Sequence, residues 1–223
     1  MKIDFFIYYN IRLTPFYNIK MDIESIITNL KDMLTERGDD ISLFEEHRLS
    51  IDKEEYENDR NVIELQTSNT TVIFALTKKL RKFIIDELKM CDTDNENFIA
   101  KYGNMKNVIL IFNNDTISQP IISQLNKYDK MFQKNKGHLQ YFHAQQIMLN
   151  PTKHEYVPKH IKLTETEAAE FMKEYMIKSK IYMPIILHND PIAKWLGIKQ
   201  GDIVKIVRYN ENSGVSFYYR SCF

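Results

Sequence analysis

The side chains best suited to chemistry are scattered along this sequence. Six histidines are present, and the notable pairs, His138 with His143 and His154 with His160, lack cysteine or carboxylate companions at a zinc-ligand spacing. Cys91 and Cys222 are too few and too isolated for a thiolate zinc site or a disulfide framework. Only six glycines occur, and neither the dinucleotide fingerprint nor the P-loop pattern is among them. Ser213-Gly214 has no strand-to-helix elbow behind it, which argues against a serine hydrolase. The nearest approach to catalysis is a metal-dependent nuclease, with Asp59 and Glu64 as the acidic pair and Gln66 where a lysine should activate water. Glu64 reads more simply as the polar face of a strand. Lys78, Lys79, Arg81, Lys82 and Lys89 offer one further chemistry, phosphate contact by an independent duplex-binding module. No aromatic stacking platform accompanies them. No metal, cofactor or small-molecule substrate is implied, and no catalytic residue is assigned.

The elements that would position these groups are easier to read. The chain has 223 residues, 43% hydrophobic and 27% charged, with Lys plus Arg and Asp plus Glu both at 30, so its overall field suits no strong polyanion binder. No apolar run approaches the roughly 20 residues needed to span a bilayer, and scarce cysteine suits a reducing intracellular compartment. Residues 1–20 carry no signal-peptide pattern and precede Met21, where a regular amphipathic helix begins; they are expected to be an extension that is not translated. Ile23, Ile26, Ile27, Leu30, Met33 and Leu34 follow helical spacing, with Gly38 as the stop. DKEEYENDR (52–60) is a solvated charge run. NVIELQ and NTTVIFAL predict a hairpin turning at Thr67-Ser68, and Thr77 to Met90 a helix. NVILIF (107–112) is a short continuous apolar run, the mark of a strand buried on both faces; a helix through SQPIISQLNKYDKMF and a strand at HLQYFHAQQIM complete a βαβ unit with a partly parallel sheet.

Pro151 and Pro158 punctuate LNPTKHEYVPKH, an extended connection that divides residues 21–148 from 149–223. Beyond it, Thr164 and Glu167 have capping-box spacing, and Ala168, Phe171, Met172 and Tyr175 form one apolar stripe that packs a helix on its own small sheet. DPIAKWLG is a short helix with Asp190 as N-cap, Pro191 at the first helical position and Gly197 as the left-handed stop. Gly201 marks another turn, and DIVKIVRY and VSFYYRSCF form a closing hairpin whose loop ends at Gly214. So small a unit buries little surface alone and would gain from docking on something larger. The expected fold is α+β: an N-terminal α/β domain followed by a small C-terminal α+β domain ending in a β-hairpin.

HEYVPKHIKLT and DPIAKWLGIKQGDIVKIVR resemble the C-terminal domain of the fifth shared subunit of eukaryotic-type RNA polymerases, a family with an archaeal counterpart that lacks the jaw domain. The matching positions are His154, Val157, Pro158, Lys159, His160, Thr164, Met183-Pro184, Asp190 to Ala193, Trp195, Gly197, Lys199, Gly201, Val204 to Ile206, Arg208, Gly214, Tyr219 and Arg220. Order and spacing agree over nearly all of 154–220, with one extra residue between Tyr175 and Pro184. Departures include Ile185 and Gln200, where the family carries basic residues. SIITNLKDMLTERG, NVILIF and HLQYFHAQQIM resemble the family's eukaryotic-type jaw domain.

The resemblance implies a non-catalytic component of a multisubunit DNA-directed RNA polymerase. Its C-terminal assembly domain would dock on the largest subunit, its jaw-like domain would lie in the lower jaw beside downstream duplex DNA, and other polymerase subunits would be its neighbours. No membrane is involved. On this basis His154, Pro158, Lys159 and His160 shape the interdomain passage, and these four with Lys199, Lys205, Arg208 and Arg220 are the partner-binding candidates. Asp190, Pro191, Gly197, Gly201 and Gly214 fix turns, and Lys78, Lys79, Arg81 and Lys82 are the DNA-facing candidates. Abundant Asn, Ile, Lys and Tyr suggest an AT-rich genome, favouring a viral polymerase in a virion or cytoplasmic factory over a cellular one in the nucleus.

Overall fold

The computed structural model of the chain describes residues 22–49, 63–75, 106–112, 119–134 and 137–223. The first helix, α1 (Ile23–Glu36), buries the six apolar residues that the spacing predicts. Asp22 caps it by accepting the Glu24 N–H at 3.2 Å. At its other end the Asp39 N–H reaches the Leu34 carbonyl and the Gly38 N–H that of Thr35, a Schellman closure that needs the left-handed Gly38 at φ 81°. The helix α2 (Ser42–Leu49), not anticipated from the sequence, follows directly and seats Phe44 in the same core. Its eight residues carry too few apolar positions to show a period.

The strands β1 (Ile63–Gln66) and β2 (Thr70–Ala75) form the expected antiparallel hairpin. A third, β3 (Asn107–Phe112), lies parallel to β2, and after α3 (Gln119–Lys134) the strand β4 (His138–His143) lies parallel to β3. The order is thus β1-β2-β3-β4. Period-two alternation divides β3 between two cores: Ile109 and Ile111 join the α1 side, and Val108, Leu110 and Phe112 join Leu125, Tyr128 and Phe132 of α3. That is why NVILIF has no polar position after its first residue. A one-turn helix, α4 (Ala144–Ile147), follows β4 and adds Ala144 and Ile147 to the α1 side.

The connection after Leu149 is more ordered than an extended passage. It holds a 3-10 turn at Pro151–Lys153 and a short strand, β5 (Lys159–Lys162). The helix α5 (Glu165–Glu174) has the expected capping box, with the Glu167 N–H donating to Thr164 Oγ1 and the Thr164 N–H to Glu167 Oε2. Hydrogen bonds from the Thr164 backbone and side chain hold the Glu167 carboxyl below its usual range. After a 3-10 turn at Lys180–Tyr182 come β6 (Ile185–Ile186), α6 (Pro191–Trp195), β7 (Ile203–Asn210) and β8 (Gly214–Cys222). The second sheet has the order β5-β7-β8-β6, antiparallel except for the β6-β8 pair. One face, with Ile203 and Tyr219, packs under α5; the other, with Val204, Ile206 and Cys222, packs under α6. Tyr175, the C-cap of α5, keeps only the edge of the expected stripe: its ring lies 4.8 Å from that of Phe171 and 6.2 Å from that of Tyr219, yet it is 58% exposed.

Asp190 accepts the Ile192 N–H at 2.9 Å and so caps α6, with Pro191 behind it. Asp190→Ala is expected to lower stability by about 1 kcal/mol, measured as a shift of the urea midpoint, because alanine offers no acceptor to the amides that open so short a helix. Gly197 ends α6 at φ 63°, and a Cβ there would lie 3.3 Å from the Arg37 guanidinium carbon. Backbone sign and close approach both call for glycine at that position. Gly201 and Gly214 also have positive φ, as their turn roles require.

Candidate partner-docking surface

The first site the structure assembles lies between the two sheets. Trp195, at the end of α6, is buried in the α1-side core of the first sheet, and its indole N–H donates to Glu36 Oε2 at 3.0 Å. Arg37 turns back to meet it, donating from Nε to the Trp195 carbonyl at 2.8 Å and from Nη2 to the Lys194 carbonyl at 2.7 Å. These are the orphan carbonyls of a helix C-terminus, where a guanidinium satisfies both hydrogen bonding and the local dipole. Gln140 adds a donor to the Lys194 carbonyl at 3.2 Å. Burial pushes Arg37 down to about 10, with Asp39 opposing the shift, so it stays cationic at neutral pH.

Lys194 lies in the same junction, and among the described residues no carboxylate pairs with it. Its Nζ donates to the Tyr141 carbonyl at 2.7 Å and sits 4.6 Å from the centre of the Phe142 ring. Burial, reinforced by the Arg37 charge, pushes its pKa down to about 8. At the periphery, Lys153 pairs with Asp32 at 2.6 Å and Thr152 donates to Glu36 Oε1 at 2.9 Å. The apolar need of the small sheet is therefore met in part within the chain, by the larger sheet.

The residues singled out for partner contact do not share one face. Lys199 turns inward, donating from Nζ to the Gly137 carbonyl at 3.0 Å, and burial lowers its pKa. It therefore takes part in the intramolecular junction while remaining half-buried. His154 accepts the Tyr156 N–H at 3.3 Å, and His160 Nδ1 lies 2.7 Å from the Pro158 carbonyl. Burial lowers the His160 pKa, with the Pro158 carbonyl and Asp190 acting against it. Lys159 is exposed on β5. Lys205 lies over the Phe217 ring at 4.2 Å on the α5 face, whereas Arg208 lies over Tyr218 at 4.5 Å on the opposite face, which strand alternation also gives to Arg220. Arg220 donates from Nη1 to the Ile185 carbonyl at 2.9 Å.

Lys78, Lys79, Arg81 and Lys82, the predicted helix that carries them, and Asp59 all lie outside the described residues. Glu64 is half-buried on β1. Among the described residues, no group of three His, Cys, Asp or Glu is placed to hold a metal ion.

The outer surface has its own feature, which sequence reasoning missed. Beside β8 runs an open groove of about 740 Å³, lined by Tyr175, Met176, Lys178, Tyr182, Phe217 and Tyr218 among others. Its floor is firm: the Phe171 and Tyr219 rings stack with centroids 4.0 Å apart. The signal available was MIKSKIYMP, an apolar-basic run that follows neither the helical nor the strand period.

Residues 149–222 match the family described as RNA polymerase Rpb5, C-terminal domain. The chain is 40% identical over 90 residues to the DNA-directed RNA polymerases I, II, and III subunit rpabc1 of Dictyostelium discoideum, covering 40% of this chain and 45% of that one. It is 38% identical over 82 residues to subunit RPABC1 of Caenorhabditis elegans, covering 37% and 38%. These alignments span less than half the length of the curated relatives. The capped α6, the turns at Gly197 and Gly201 and the closing hairpin all fall inside the matched region. Residues 149–222 of this chain, with their four-stranded sheet and the docked α6, are thus similar to the C-terminal domain of RNA polymerase subunit Rpb5.

Proposed function

We propose that the chain is a non-catalytic subunit of a multisubunit DNA-directed RNA polymerase. The family match over residues 149–222 carries this reading. The second sheet and its helices act as an assembly domain that docks on the largest subunit, and the first sheet forms a jaw-like domain of residues 21–148 near downstream duplex DNA. The junction supports such a division of labour. A jaw held to its anchor by the buried Trp195, by Arg37 and by Lys194 moves with the anchor, so docking at one end fixes position at the other. Chemistry on nucleotides belongs to other subunits, and the chain works wherever its polymerase does, in a nucleus or, for a viral enzyme, in a virion or cytoplasmic factory.

Affinity purification of the full chain from its native cells, followed by mass spectrometry, tests the reading. The largest polymerase subunit and its companions should be recovered in stoichiometric amounts; their absence would overturn it. Arg208→Glu with Arg220→Glu should reduce the recovered largest subunit about tenfold, since reversing two cations at a contact costs more than about 1 kcal/mol. Unchanged recovery removes both residues from the interface.

A further inference from the structure

We propose that the open edge of β8 receives an extended, acidic-apolar segment of a partner polypeptide as an added strand. This inference rests on the polymerase-subunit reading and names the mode and chemistry of its docking.

The backbone sets the geometry. Ser221 N–H donates to the Pro184 carbonyl and Phe223 N–H to the Ile186 carbonyl, so odd-numbered residues here turn their amides away from β7. By the same alternation Val215, Phe217 and Tyr219 aim N–H and C=O outward. There β6 does not cover them, because it pairs only with Ser221 and Cys222. The chain before β6 coils into the Lys180–Tyr182 turn, which Lys180 ties to the Gly201 carbonyl, instead of running on along β8. Among the described residues no strand lies against 215–219 on that side.

Exposed edges of this kind are normally blunted by lysine, proline, a bulge or shortness. The opposite edge of the same sheet obeys that rule: β5 is KHIK, four residues with two lysines. The β8 edge does not. It reads VSFYY, with Val215 57% and Phe217 54% exposed. Strained backbone borders it as well: Met176 follows α5 at φ 54°, in the left-handed position usually held by glycine, and is 87% exposed at the groove. A flexible thioether in such a place suits an adaptable apolar contact.

Charge specifies the occupant further. Lys178 is the charged side chain of the groove lining, which contains no carboxylate. Lys205 and Arg208 flank the edge on its two faces, over Phe217 and Tyr218. A strand of about five residues with alternate apolar side chains in the groove and a carboxylate toward Lys178 meets all of these features. A second copy of this chain fits less well, since two β8 edges would bring like charges together.

Residue-resolved hydrogen exchange on the free chain and on the purified complex tests the proposal. The amides of Val215, Phe217 and Tyr219 should exchange at least about tenfold more slowly in the complex, while those of Ser216 and Tyr218, already bonded to β7, keep their rates. Unchanged rates at the three outward amides overturn strand addition. A mutational arm reads the same bond: Phe217→Pro removes an outward N–H that β7 does not use, and should cut recovery of the partner subunits about tenfold, whereas Phe217→Thr retains most of it. Equal loss in both variants points to a side-chain contact and overturns the proposal. Sedimentation as a dimer that Phe217→Pro dissociates assigns the edge to a second copy and overturns it too. If no polymerase subunit is recovered with the wild-type chain, the functional reading falls and this inference with it; recovery indifferent to Phe217→Pro sinks the inference alone.

Discussion

Trp195→Ala is expected to destabilise the chain by about 3–5 kcal/mol, the range for deleting a large ring from a packed core. The cost is high because the ring belongs to a core its own sheet does not make. It closes the cluster built by α1, α4 and one face of the first sheet, and its loss leaves a cavity walled by helix and strand residues that cannot collapse together. Glu36 also loses the indole donor, although Thr152 still serves its other oxygen. Trp195→Phe separates the two effects: the smaller ring keeps most of the packing, and losing the N–H alone should cost about 1 kcal/mol. The chain contains one tryptophan, so its fluorescence reports this junction directly. In urea the fluorescence and far-ultraviolet circular dichroism transitions of the wild-type chain should coincide, because the two sheets share a core. Separate transitions, with fluorescence changing first, would show that the junction opens without unfolding either sheet.

What the sequence reveals depends on the range of the interaction concerned. The six apolar residues of α1 and the buried strand β3 announce themselves because period and burial are local consequences of one face meeting one core. Asp190, Pro191 and Gly197 are equally legible, since capping and left-handed turns are decided within a few residues. Trp195 is legible only as a large apolar residue in a short helix. Whether it packs on its own sheet or a neighbour's depends on a partner 158 residues away in the chain, and Arg37 carries no mark that its guanidinium will cap that distant helix. The inward bond of Lys199 is illegible for the same reason: a lysine beside a turn is ordinarily exposed, and only the approach of Gly137 gives its Nζ an internal acceptor. The groove along β8 was hidden differently. Tyr175 continues the spacing of α5, but the helix ends at it, so the period points to a core position where the backbone leaves the ring largely exposed.

Lys194→Met should stabilise the chain at neutral pH and remove a rise in stability on going to alkaline pH. In the folded chain the amine titrates at about 8, against 10.5 for an unburdened lysine. Between those values the folded state binds fewer protons than the unfolded one, so stability climbs with pH; below about 8 the ammonium is charged in both states and its burial cost is present in full. The shift corresponds to about 3 kcal/mol, from which the lost hydrogen bond to the Tyr141 carbonyl subtracts about 1 kcal/mol. The net gain at neutral pH is then about 2 kcal/mol, with the thioether taking the place of an ammonium seated 4.6 Å over the Phe142 ring. Lys199, whose pKa is also lowered by burial, contributes the same sign in both proteins and cancels in the comparison. Cys222 works in the opposite sense, because burial pushes its thiol from 9.0 up to about 11 and the folded state holds that proton longer, but only above about pH 9. Cys222 too cancels in the comparison, and the wild-type rise read alone is clean over about pH 8 to 9. Urea denaturation across it should give a steeper increase for the wild-type chain than for the variant; equal slopes would mean that the Lys194 amine is solvated, and that Arg37 and Trp195 hold the junction without it.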